Sequence, residues 1–153
     1  VHLLRHTKTE EKAITGKDID RKLVSKGHLQ CAQLKEVFKT AFTKAPKIYC
    51  SSSQRTRETA YLIFDELHPI IYLDELYLGT RSDILDVIRL HESEEEILII
   101  GHNLGLSELA SYLLGKDVLM KTSGFISIAF PGLSVKEISN STGELILSHR
   151  CDL

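Results

Sequence analysis

The chain has 153 residues, 42% hydrophobic and 26% charged, with 9 Gly, 3 Pro and no Trp. This length and apolar share fit one globular domain spanning 1–153, able to bury roughly two-thirds of its unfolded surface without a disulfide or a metal, and they exclude a disordered or collagen-like chain. The net charge of −2 excludes a global nucleic-acid footprint, and no apolar run approaches the ~18–20 residues of a membrane span.

In chain order, Val1 to Leu4 is an apolar run read as a strand, followed by a polar loop from Thr7 to Lys26. Leu34, Val37, Phe38, Ala41 and Phe42 recur at helical spacing, and Pro46 closes that helix. Ile48 to Cys50 reads as a second strand and Ala60, Ile63, Phe64 and Leu67 as a second helix. Ile70 to Tyr72 follows as a third strand, then a short helix carrying Ile84, Val87 and Ile88. Ile97 to Ile100 is the most apolar run and predicts a central strand buried on both faces. The acidic residues Glu92, Glu94, Glu95 and Glu96 before it fit the amino-terminal edge of a sheet. Leu106, Leu109, Ala110, Leu113 and Leu114 predict the next helix. Ile126, Ile128 and Phe130 then alternate with smaller residues as a strand. Val135 to Ile138 and Leu145 to Leu147 are read as further strands joined by a turn at Ser141–Gly143. The order implies an α/β domain of three αβα layers, with a mostly parallel central sheet and helices on both faces.

Three strand ends carry the functional signal. Arg5 and His6 follow the first strand, Ser51, Ser52, Ser53, Arg55 and Arg57 the second, and Gly101 and His102 the Ile97–Ile100 strand. In an open parallel sheet, ligands bind outside the carboxyl ends of the strands, so two imidazoles and at least two guanidiniums converge on one crevice. Guanidiniums donate in a planar fork that suits phosphate or carboxylate and disfavours a metal cation. No zinc-ligand spacing is present, so no metal is expected. An imidazole amid fixed positive charge is kept neutral and nucleophilic, able to attack phosphorus. The other His residues, His2, His28, His68, His91 and His149, follow no strand in this way and receive no role. Cys31, Cys50 and Cys151 form no C-x-x-C pair and read as small buried apolar residues. With no basic, apolar leader at the start of the chain, a reduced, cytoplasmic setting is expected.

These segments resemble those of the histidine phosphatase superfamily, with its phosphoglycerate mutase-like fold. Leu3-Leu4-Arg5-His6-Thr7 resembles the R-H-G strand end, Ser51 to Ala60 the S-S-x-x-R-x-x-[QE]-T-A segment, and Gly101 to Leu106 the G-H-N-x-G-L segment. Asp20 to Leu23, running on to Lys26-Gly27, resembles the loop and helix start of compact bacterial members. Size and the G-H-N-x-G-L form look most like the SixA-type phosphohistidine phosphatases. The resemblance implies His6 as a nucleophile passing through a phosphohistidine intermediate. It implies Arg5 and Arg55 as phosphate clamps and His102 as a donor to a phosphoryl oxygen. Thr7 departs from the usual Gly and adds a hydroxyl beside the nucleophile or narrows the pocket. Ser51 and Ser52 either bind substrate or cap the following helix, and Arg21 either reaches substrate or pairs with an acid. Arg57 is expected on the helix surface, and Asp18 and Asp20 as loop residues. Leu73-Asp74-Glu75 resembles the segment where mutases place their acid, so Glu75 is either the general acid or half of an exposed acidic pair. The resemblance implies no cofactor. The partner is phosphate or a phosphorylated substrate, a histidine-phosphorylated protein first, with neither nucleic acid nor membrane involved. The alternatives are a small phosphoester phosphatase and a phosphate-binding or phosphoprotein-binding module without turnover.

Overall fold

The computed structural model describes residues 1–64, 68–90 and 96–151; Leu67, His91, Glu92, Glu94 and Glu95 lie outside the described residues. The elements are β1 (His2–Arg5), α1 (Ser25–Ala41), β2 (Lys47–Ser51), α2 (Gln54–Phe64), β3 (Ile70–Leu73), α3 (Arg81–Leu90), β4 (Ile97–Gly101), α4 (Gly105–Leu114), β5 (Phe125–Ala129) and β6 (Glu144–His149). Short 3-10 turns cover Asp18–Asp20, Asp74–Leu76 and Val135–Glu137.

The sheet order is β3-β2-β4-β1-β5-β6. β3, β2, β4 and β1 run parallel, whereas β5 pairs antiparallel with both β1 and β6. Alternation along each strand sends side chains to opposite faces, and the two faces carry separate cores. Leu3, Ile97 and Ile99 pack with Ile84 and Ile88 of α3 and Leu106, Leu109 and Leu113 of α4. Leu4, Leu98 and Ile100 pack with Leu34 and Phe38 of α1 and Ala60 and Ile63 of α2. The three-layer αβα arrangement expected from the sequence is therefore present. β4 is the inner strand, buried at every position, as its unbroken apolar run requires. The three cysteines are free and buried.

Local chemistry sets the element ends. Thr80 caps α3: its hydroxyl accepts the Asp83 N–H at 3.2 Å and the Asp83 carboxylate accepts the Thr80 N–H at 2.8 Å. α4 ends at Gly115, whose φ of +67° is the left-handed conformation glycine adopts without penalty.

The carboxyl third differs from the expected strands. Val135–Glu137 is a 3-10 turn, not a strand. The Ser134 N–H donates to the Glu137 carboxylate at 3.0 Å, while the Glu137 N–H donates to the Ser134 carbonyl at 3.0 Å. This local closure satisfies backbone groups that a strand would have to pair elsewhere. The partner of β6 is β5, so the Ser141–Gly143 turn feeds β6 but closes no hairpin with Val135–Ile138. β5 is also buried at Ser127, the position its alternation left polar, because helices cover both faces there. The Ser127 hydroxyl pairs with His2 Nδ1 at 2.7 Å.

The rim of the sheet is fixed by close backbone approach. A Cβ on Gly105 would stand 2.0 Å from the Gly79 carbonyl oxygen and 3.0 Å from Ile84 Cδ1, so glycine lets the turn after β3 rest on the start of α4. Gly105→Ala is expected to cost about 3 kcal/mol, the upper end for overpacking, read as a lower urea midpoint at unchanged m-value.

Candidate active site

The carboxyl ends of β1, β2 and β4 open on a cavity of about 320 Å³ lined by Arg5, His6, Lys8, Thr9, Glu11, Asp18, Arg21, Arg55, Leu78, His102, Asn103 and Thr122. Adjacency of β2, β4 and β1 in the sheet brings the three strand ends together, and the His6 and His102 rings lie 5.3 Å apart between centroids.

His6 is 7% exposed. Its Nδ1–H donates to the Thr7 carbonyl at 2.9 Å, which fixes the ring and leaves the Nε2 lone pair unused by the backbone. Burial pushes its pKa down to about 4; the Thr7 carbonyl opposes this, and Arg55, Arg5 and Arg21 add to it. His102 is held by a 2.7 Å hydrogen bond between Nε2 and Ser51 Oγ, with Ser53 Oγ at 3.5 Å. Its Nδ1 is buried without a partner. Burial, then Arg55 and His6, push its pKa down to about 3.

Arg5 donates through Nη1 to the Met120 carbonyl at 3.2 Å, and burial with repulsion from Arg55 lowers its pKa. Arg55 is 2% exposed and donates twice to Asp18, through Nη1 to the carbonyl at 2.8 Å and through Nη2 to the carboxylate at 3.0 Å. The Nε of each arginine is buried without a partner. Buried polar groups are normally paired, so these two donors and His102 Nδ1 form an unanswered set beside one cavity.

Asp18, expected as a loop residue, lines the cavity. It accepts from Arg55, from Arg21 Nη1 at 3.0 Å and from the Tyr77 hydroxyl at 2.6 Å. Burial raises its pKa, but these three hydrogen bonds outweigh that and hold the carboxyl well below the usual carboxylate range. Arg21 meets both expectations: it lines the cavity and pairs with an acid, its Nε and Nη2 spent on the Glu10 carbonyl and the Thr9 hydroxyl. Sequence reading also passed over Tyr77, whose ring stands edge-on to His102 with centroids 5.7 Å apart, and Glu11 on the cavity wall. Neither directly follows a strand end, so no local pattern marks them.

Other expected positions fall elsewhere. Thr7 is fully buried, its hydroxyl 3.4 Å from Cys31 Sγ, and is not part of the cavity lining. Ser51 acts on His102 and does not line the cavity, and Ser53 takes the capping place, its Oγ accepting the Thr56 N–H at 3.4 Å. Arg57 lies 4.1 Å over the Tyr72 ring on the helix surface, as expected. Glu75 is exposed in the Asp74–Leu76 turn and outside the cavity lining; the turn directs Tyr77, two residues on, toward the site in its place. No group of three or more His, Cys, Asp or Glu placed to hold a metal ion occurs among the described residues, and no described helix is long and apolar enough to cross a membrane.

Residues 1–77, which include Arg5, His6 and Arg55, match the model of the histidine phosphatase superfamily, branch 1. The chain belongs to the histidine phosphatase superfamily. No curated protein sequence matches it. Among solved structures, this superfamily member is similar to a candidate phosphohistidine phosphatase SixA from Nakamurella multipartitia, with a TM-score of 0.85 and 19% identity over 99% of this chain and 96% of that one. It is similar also to the protein histidine phosphatase SixA complexed with tungstate, with a TM-score of 0.79 and 17% identity over 96% and 94%. The phosphoserine phosphatase of Entamoeba histolytica complexed with 3-phosphoglyceric acid gives 0.69 and 14% over 99% and 96%. At these identities the likeness concerns the fold.

The depressed imidazoles of His6 and His102, with that of His2, contribute to the acid response of the chain. Free imidazoles protonate near pH ~6.5, whereas the folded chain takes these protons only near 4 and 3. Between those limits the unfolded chain binds more protons, so stability falls as pH drops from about 6.5 toward 4. The urea midpoint is expected to fall between pH 7 and 4.5. Long-range 1H–15N spectra at pH 7 are expected to show His6 protonated at Nδ1 and untitrated down to pH 5; a proton on Nε2 would contradict the geometry.

Proposed function

We propose that the chain is a metal-independent phosphatase in which His6 attacks phosphorus, and that its substrate is phosphohistidine on a protein. The observation that carries this reading is the fixed His6 tautomer: Nδ1–H is committed to a backbone carbonyl in a cavity lined by three guanidiniums, so Nε2 is the free lone pair.

In the proposed reaction, Nε2 forms a bond to phosphorus as the bond to the leaving group breaks, and the leaving group departs with the bonding pair. Water then attacks the phosphohistidine, the P–N pair returns to Nε2, and inorganic phosphate leaves. Arg5 and Arg55 donate to the phosphoryl oxygens, with the buried Nε groups as the available donors. In this reading Ser51 Oγ, which accepts the Ser53 N–H at 3.3 Å, donates to His102 Nε2, and the buried, unpartnered His102 Nδ1 carries the proton that serves a phosphoryl oxygen. The guanidiniums supply the charge stabilisation that a metal ion gives in other phosphoryl transfers.

Acid supply favours a phosphoryl group on nitrogen over one on an alkyl oxygen. Glu75 stands outside the cavity, and Asp18 is held ionised by Tyr77, Arg21 and Arg55. Glu11, exposed on the wall, is the remaining carboxylate. An imidazole leaves without the strong acid that an alkoxide demands. Leu78, exposed on the cavity wall, adds an apolar contact that a protein partner covers in this reading.

The deciding experiment is phosphate release from a histidine-phosphorylated phosphotransfer protein with EDTA present. Wild type is expected to release phosphate and His6→Ala to fall by about 10³-fold or more. No release by wild type would overturn the protein-phosphohistidine reading. Turnover of p-nitrophenyl phosphate alone would then favour a small phosphoester phosphatase, and phosphate binding without any turnover a binding module. Glu75→Gln is expected to change release from the phosphoprotein by less than about threefold; a loss of about 100-fold would restore Glu75 as the general acid.

A further inference from the structure

A second cavity of about 320 Å³ adjoins the first and shares Arg5, Lys8 and Thr122 with it. Its other lining residues are Lys26, Gln30, Lys121, Arg150 and Cys151. They come from the start of α1, the segment before β5 and the segment after β6.

The charge of this second cavity is one-sided. Five cationic side chains line it, Arg5, Lys8, Lys26, Lys121 and Arg150, and no carboxylate does among the described residues. The first cavity, by contrast, has Glu11 and Asp18. Lys8, Lys26, Lys121 and Arg150 are exposed, and none forms an ion pair among the described residues. Like charges gathered around a concavity repel one another and concentrate anions there. An independent feature lies in the wall. Gln30 is 4% exposed, and its Oε1 accepts the Lys8 N–H at 2.8 Å. That bond orients the amide, so its NH2 group is the end left to donate. The buried Arg5 Nε, also without a partner, belongs to a residue common to both cavities.

We propose that this cavity is a second anion-binding subsite, taking a carboxylate or a second phosphoryl group of the molecule whose phosphoryl group occupies the first. Arg5 spans the two. The inference deepens the phosphatase reading and rests on it for the identity of the first site. It gives the substrate class as a phosphorylated molecule with another negative group about one guanidinium away. In a protein substrate, that group is an acidic side chain near the phosphorylated residue; in a small molecule, it is a second phosphate.

The test begins with binding, which needs no turnover. Inorganic phosphate and tripolyphosphate are titrated calorimetrically in 150 mM salt, where exposed charges beyond ~8 Å are screened, into wild type and into Lys26→Ala/Arg150→Ala. Both replaced side chains are exposed, so the variant is expected to fold. Wild type is expected to bind tripolyphosphate at least about tenfold more tightly than phosphate, and the double variant to lose most of that preference. An unchanged preference overturns the subsite. Failure of the catalytic reading is distinguishable, because it removes turnover and leaves the tripolyphosphate preference in place. Once the preference is lost in the variant, the KM for the histidine-phosphorylated protein assigns the source: a rise of about fivefold or more points to an acidic protein substrate, and an unchanged KM to a small molecule with two phosphates.

Discussion

Positive charge held out of water with incomplete compensation is the constraint on which the site depends. Arg55 is almost wholly buried, Arg5 half-buried beside it, and two imidazoles stand within the same field. Charges in such a place cost free energy unless they are paired and hydrogen-bonded. Asp18 supplies the pairing inside the chain, bridging Arg55 and Arg21 and taking the Tyr77 hydroxyl. The imidazoles respond by staying neutral. What remains uncompensated is the deficit that an incoming anion fills, so electrostatic strain and ligand preference are one property of the site.

Hydroxyls hold this arrangement in register. The Thr56 hydroxyl donates to the Ser51 carbonyl at 2.7 Å, Ser51 joins His102, and Thr59 accepts the Thr7 N–H at 3.3 Å. These contacts tie the end of β2 and the start of α2 to the residues that follow β4 and β1. Such small side chains have few rotamers to lose and place a functional group more narrowly than long polar ones. The Ser51, Thr56 and Thr59 hydroxyls therefore position the side chains around the cavity.

The parts of the fold legible in the sequence are those where one local pattern has one physical outcome. Ile97–Ile100 reads as an inner strand because no partly exposed element tolerates such a run, and the residues after three parallel strands must share one edge. Arg5, His6, Arg55 and His102 line one cavity for that reason. Asp18 and Tyr77 are not legible in this way, because a 3-10 turn in a long loop and another after β3 meet only in three dimensions. Glu75 and Tyr77 show how fine the margin is: two residues along one short turn decide which side chain reaches Asp18 and His102. Val135–Ile138 differs for another reason. Val135 and Ile138 are the apolar ends of a strand-like pattern, although Ser134 and Glu137 carry the S-x-x-E spacing of a capped turn.

The strand order has a consequence for how the molecule comes into being. β1 and β2 are consecutive in sequence but not adjacent in the sheet; β4 lies between them and pairs with both. His2 pairs with Leu98 and Arg5 with Gly101, partners nearly a hundred residues apart. Contacts of such separation form slowly, because loop closure precedes any gain from pairing. Until β4 is inserted, His6 and His102 have no common edge to stand on and the guanidiniums of Arg5 and Arg55 no reason to be close. The cationic site is thus complete only once β4 stands between β1 and β2, so the charges of three separate segments meet only in the finished sheet.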